Sequence, residues 1–97
     1  MSDWADAYIQ RLAAGETVTL HPRGNSMTPR IKSGQEVTVV PVASAVDVGD
    51  VVLCRVRGRA YLHIVTAIEG ARFQIGNNHG RINGWIVAAA IFGRADL

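Results

Sequence analysis

Trp4, Tyr8 and Leu12 recur every four positions and form one apolar stripe, which predicts a helix over Ser2 to Ala14. Ser2 is placed to cap its start, Asp3 and Asp6 sit near the positive end of its dipole, and Gly15 follows as a terminating residue. Beyond Gly15 the pattern changes to short alternating or β-branched runs. Thr17–Leu20, Glu36–Val42, Val51–Val56, Tyr61–Ile68, Arg72–Ile75 and Ile91–Arg94 each read as a strand. Arg57-Gly58-Arg59 and Glu69-Gly70 supply turns between them. Trp85–Ala90 is ambiguous, because its alanines also permit a helical turn. Short strands punctuated by glycine predict a mainly β, partly closed sheet with one short N-terminal helix. The chain reads as a single domain over 1–97, with the helix in 1–15 and the β core in 17–95.

Composition agrees with a packed globule: 48% of the 97 residues are hydrophobic and 19% charged. The formal net charge of +2 permits an acidic partner without requiring one. Arg55, Arg57, Arg59, Arg72 and Arg81 lack interleaved aromatics and a nucleic-acid motif, so a solvated face is expected and no nucleic acid. The single cysteine, Cys54, lies in an apolar run and is expected to be a buried, inert thiol. His21 and His79 have no metal-ligand spacing with each other or with Cys54, so no metal or other cofactor is expected. The longest apolar stretch, Trp85 to Phe92, falls far short of the roughly 20 residues a spanning helix needs. The start, MSDWADAY, is not a secretion signal, and a cytoplasmic, unanchored chain is expected.

The segment with chemical potential is Gly24-Asn25-Ser26-Met27-Thr28-Pro29-Arg30-Ile31-Lys32-Ser33-Gly34. A serine between Gly24 and Pro29 sits on a constrained turn, where its hydroxyl and a backbone N–H can be presented together. Most serines in turns do nothing more than turn.

Other segments in the same order sharpen the reading. Gly24-x-Ser26-Met27-x-Pro29, then Ile31, Gly34 and Val37-Thr38-Val39, resembles the nucleophile motif of the LexA repressor and type I signal peptidase superfamily. Val48-Gly49-Asp50-Val51-Val52 resembles its glycine-aspartate turn into an apolar strand. Leu62-His63-Ile64-Val65 resembles the strand bearing the general base, Ile75-Gly76-Asn77-Asn78 the "GDN" turn, and Ile91-Phe92-Gly93-Arg94 the closing strand. The likeness extends over about residues 17–95.

The resemblance implies a serine peptidase fold with Ser26 as nucleophile and a Ser–Lys or Ser–His dyad. The matching base is His63, as in the archaeal and endoplasmic-reticulum signal peptidases. Lys32, the only lysine, lies inside the nucleophile motif and is expected to be merely exposed. Chemistry accommodates a histidine base. Lysine must be strongly desolvated to be neutral at pH 7, whereas histidine is already mostly neutral there. The resemblance further implies Asn77, where relatives carry an aspartate, as the residue orienting His63. Asn78 and Asn83 are alternates with an ordinary turn role. Gly24, Asn25, Met27 and Pro29 are the expected substrate contacts, and the Ser26 N–H the expected oxyanion donor. Too few residues precede the β region for a helix-turn-helix domain, so a DNA-binding repressor is not expected. Ala13-Ala14-Gly15 resembles the Ala–Gly bond that LexA-like proteins cut in themselves, but it lies much closer to Ser26 than in that family, and a helix C-terminus is the better explanation of the same residues.

Two functions emerge: a serine endopeptidase acting on a protein or peptide substrate through Ser26 and His63, or a non-catalytic peptide-binding module of the same fold. An asparagine in place of aspartate favours the second.

Overall fold

The computed structural model describes residues 3–42 and 45–97. Its helix, α1 (Asp6–Ala13), is followed by β1 (Val18–Leu20), β2 (Val37–Pro41), β3 (Val51–Val56), β4 (Arg59–Glu69), β5 (Arg72–Gly76), β6 (Ile82–Val87), a 3-10 turn at Ala88–Ala90, and β7 (Ile91–Asp96). The seven strands form one antiparallel sheet in the order β1-β2-β7-β3-β4-β5-β6, with β1 and β6 as its unclosed edges. The mainly β expectation holds, and each expected strand is present. Trp85–Ala90 resolves into two pieces: Trp85–Val87 completes β6, and the three alanines make the 3-10 turn. The strand start at Ile82 escaped the sequence reading because Asn83-Gly84 interrupts its β-branched pattern.

α1 begins later than expected. The Asp3 carboxylate accepts from the Ala5 N–H at 3.0 Å, and Asp6 reaches back to the Asp3 N–H at 3.1 Å, a reciprocal cap. Ser2, the expected cap, lies outside the described residues. The helix ends as predicted. Gly15, at φ +87°, donates to Leu12 O at 3.0 Å, and Glu16 donates to Arg11 O at 3.0 Å. Arg55 of β3 grips the helix start through both Asp3 oxygens, at 2.8 and 3.2 Å, and through Asp6. That guanidinium holds the Asp3 carboxyl down to about 2.

Two apolar clusters lie on opposite faces of the central strands. Val51 and Leu53 join α1, β1, β2, Met27 and Ile31 in one, while Val52, Cys54 and Val56 join Val65, Ile75 and Ile86 in the other. The alternation of β3 sends successive side chains into different clusters, so nearly all of that strand is buried. β5 and β6 curl over the second cluster until the Gly84 backbone meets Val56.

Two features of β4 create the site. It leaves β3 through a two-residue turn, Arg57 at φ +53° and Gly58 at φ +80°, the mirror-type hairpin that suits strand twist. It then pairs with β5 only from Ile64 onward. Across that hairpin, Arg59, Tyr61 and His63 bond toward β3, so the N–H and C=O of Ala60 and Leu62 point at the other edge. No strand among the described residues covers it there.

β7 crosses tightly between β2 and β3. A Cβ at Gly93 would lie 2.6 Å from Val39 Cγ1 and 2.9 Å from Val40 O. Gly93→Ala is expected to cost about 1–3 kcal/mol, because backbone cannot yield as a side-chain tip can. Gly80→Ala tests the contrast of an open turn with positive φ, +85° and no neighbour within 4 Å, where only backbone strain acts. Urea midpoints should therefore fall further for Gly93→Ala than for Gly80→Ala.

Candidate active site

Ser26 stands on the long connection between β1 and β2. Gly34 N–H donates to Pro22 O at 2.7 Å and Gly24 N–H to Ser33 Oγ at 3.1 Å, which closes the base of this loop. Met27 and Ile31, 5% and 2% exposed, plug it into the first apolar cluster. From the other side, the turn between β5 and β6 grips the same segment. Asn78 N–H donates to Ser26 O at 2.9 Å, Asn78 Nδ2 donates to Thr28 O at 2.9 Å, and His79 Nε2 donates to Asn25 O at 2.7 Å. The serine is thus fixed by its own loop and by residues some fifty positions later.

His63 lies on β4 where the second partner strand stops. Its Nε2 is 3.2 Å from Ser26 Oγ and its Nδ1 is 2.7 Å from Asn83 Oδ1. An amide oxygen only accepts, so Nδ1 carries the proton and Nε2 offers its lone pair to the serine hydroxyl. The Tyr61 ring lies against the imidazole, with centroids 4.9 Å apart. His63 is 8% exposed, and burial pushes its pKa below the usual histidine value, with the Asn83 bond opposing that shift. Cys54 is buried on β3, where desolvation pushes its thiol up to about 12 and leaves it unreactive at neutral pH.

The residue on Nδ1 is Asn83, one of the two alternates, and not Asn77. The Asn77 amide oxygen instead accepts from the His79 N–H at 2.8 Å and the Arg81 N–H at 3.0 Å, so it builds the turn. What aims Asn83 is a β-bulge. Ile75 pairs with Gly84 and Gly76 with Ile82, leaving Asn83 as the extra residue that tilts toward β4. Gly84, at φ +149°, supplies the backbone that the bulge requires. The Asn83-Gly84 pair was the available sequence signal, since glycine inside a strand marks a bulge. The clasp formed by Asn78 and His79 had no such signal, because it depends on two loops meeting in space.

A groove of about 750 Å³ opens over Ser26 and His63 along the uncovered edge of β4. Of the four residues expected to contact substrate, Gly24 and Met27 line it. Asn25 and Pro29 do not: the Asn25 carbonyl is taken by Thr28 and His79, and Pro29 is exposed outside the groove. Lys32 is exposed at the groove wall, and the side chain in contact with Ser26 Oγ is His63. Trp4, 54% exposed, and Tyr8 continue the α1 stripe onto the rim, whereas Leu12 is in the core. Among the described residues no helix is long and apolar enough to cross a membrane.

No curated protein matches the chain. The Peptidase S24-like family model matches residues 3–94, which bears out the resemblance to the LexA and signal peptidase superfamily, and the chain belongs to that family.

Proposed function

We propose that the protein is a serine endopeptidase in which Ser26 is the nucleophile and His63 the general base. The carrying observation is the chain of contacts from Ser26 Oγ to His63 Nε2 at 3.2 Å and from His63 Nδ1 to Asn83 Oδ1 at 2.7 Å. As Ser26 Oγ attacks a scissile carbonyl, its proton passes to Nε2 and the new oxyanion meets the Ser26 N–H. The imidazolium then gives that proton to the leaving amine, and water deacylates the serine by the same base. Asn83 keeps the ring in the required tautomer, as the third member of a triad does. The substrate lies extended along β4, bonding to the free backbone groups of Ala60 and Leu62.

A second reading is a groove that holds peptides without cutting them. It is favoured by the neutral amide behind His63, which stabilises an imidazolium less than a carboxylate would. A serine-directed phosphonate separates the two. Labelling that requires both Ser26 and His63 supports the enzyme, and no labelling between pH 6 and 9 supports the binding module.

Ser26→Ala and His63→Ala should each reduce peptide cleavage by at least about 10³-fold, read as kcat/KM with circular dichroism confirming the fold. Because His63 must be neutral to act and burial depresses its pKa, labelling should rise with pH to a plateau, with a midpoint below that of a free histidine side chain. Asn83→Ala should slow labelling on the order of tenfold, the worth of one well-placed hydrogen bond. Asn83→Asp should move the acidic limb to higher pH, since a carboxylate favours the protonated ring. An unmoved limb would separate Asn83 from the chemistry.

A further inference from the structure

The ten lysine and arginine residues divide cleanly. Arg11, Arg55, Arg72 and Arg94 each pair with a carboxylate, and Arg30 donates to Gly49 O. The remaining five, Arg23, Lys32, Arg57, Arg59 and Arg81, have no carboxylate partner among the described residues, and every one lines the groove over Ser26 or the smaller cavity beside it. That second cavity, of about 330 Å³, shares Arg59, Tyr61, Arg81 and Asn83 with the groove, so the two are continuous. Among the described residues, no aspartate or glutamate lines either one. The carboxylates nearest in sequence to the groove's aromatic rim, Asp3 and Asp6, are occupied by Arg55. The basic residues expected to form a solvated face therefore split. Arg55 and Arg72 serve internal pairs, while Arg57, Arg59 and Arg81 gather at one end of the cleft.

From this we infer that the groove selects an acidic peptide, with carboxylates of the bound segment meeting Arg59 and Arg81 to one side of the scissile bond. The inference rests on the peptide-cleft reading of this groove and adds the chemical class of its occupant. Arg59 shares a β4 face with Tyr61 and His63 and lies roughly 13 Å along the strand from the base. An extended peptide covers that distance in about four residues, so acidic side chains about that far from the cut site reach the guanidinium groups. Unpaired cations focused along a partly enclosed cleft raise the local concentration of an anionic ligand, and guanidinium forks bind carboxylates in paired geometry. A peptide is favoured over a nucleic acid of equal charge because the cleft presents one bare strand edge, a template for another polypeptide backbone. Its aromatics among the described residues are Trp4 and Tyr8 at the rim, with ring centroids 6.5 Å apart, and Tyr61, whose ring lies against His63, and not a row of platforms for successive bases.

Fluorescence anisotropy on the full Ser26→Ala chain tests this without turnover. The probes are a short labelled peptide with an alanine-rich centre flanked by glutamates, its glutamine counterpart, and an oligodeoxythymidylate of matching charge. The glutamate peptide should bind roughly tenfold more tightly than the glutamine one at low salt, as a few partly exposed ion pairs allow. That advantage should shrink toward parity in high salt. Arg59→Gln with Arg81→Gln should remove most of it, while Arg72→Gln, the same charge change outside the groove, should leave it intact. Equal binding of the two peptides, a preference that survives the double variant, or tighter binding of the oligonucleotide through the same arginines would each overturn the inference. Phosphonate labelling keeps the two proposals apart. An acidic preference without Ser26 labelling removes the peptidase and keeps the acidic ligand, and labelling without the preference does the reverse.

Discussion

β4 is a continuous strand of 11 residues whose first half, Arg59–Ile64, pairs with β3 and whose second half, Ile64–Glu69, pairs with β5, so one edge of the first half is left without a partner strand. Much else follows from that constraint. Where β5 stops, at the pairing of Ile64 with Gly76, the chain must turn away from β4, and the turn it makes carries Asn78 and His79 to the serine loop. His63 falls one residue before that boundary, so its ring is walled by protein while the neighbouring backbone stays open. Gly76 permits the divergence, because a Cβ there would sit 2.8 Å from Arg81 O.

The contact between Ser26 and His63 depends on burial more than on charge. Among the described residues no carboxylate touches His63; its two ring nitrogens meet a hydroxyl and an amide. Burial lowers the pKa of the ring, which favours its neutral form, and the Tyr61 ring lies against it. A lysine at the same position would need far deeper burial to be neutral, and the open edge beside it would work against that. In the proposed mechanism, the type of base and the openness of the cleft are thus linked.

Much of this was legible in the order of residues. Strand positions followed from β-branched alternation, and the serine turn stood out through Gly24, Pro29 and Gly34. The pairing of Ser26 with His63 came from the order of motifs, because no spacing rule connects positions so far apart. Asn77 was a reasonable partner for His63 by alignment of the turn, yet its oxygen is consumed in closing that turn, and a bulge one strand later delivers Asn83 instead. Bulges exchange which neighbour faces inward, and a linear pattern carries only the hint of a glycine at Gly84. The partition of the arginines was equally hidden, since it depends on which carboxylates each one meets across the sheet.

β2 and β3 never pair with each other, because β7 occupies the space between them. Before residues 91–96 arrive, the sheet is two unjoined halves, each presenting a valine-rich strand with bare amides. Assembly must therefore wait for a late, long-distance insertion, which slows folding and lengthens the interval in which sticky strands meet other chains. A ribosome-stalled chain lacking that segment would be a substrate for chaperones and not a partially working protein.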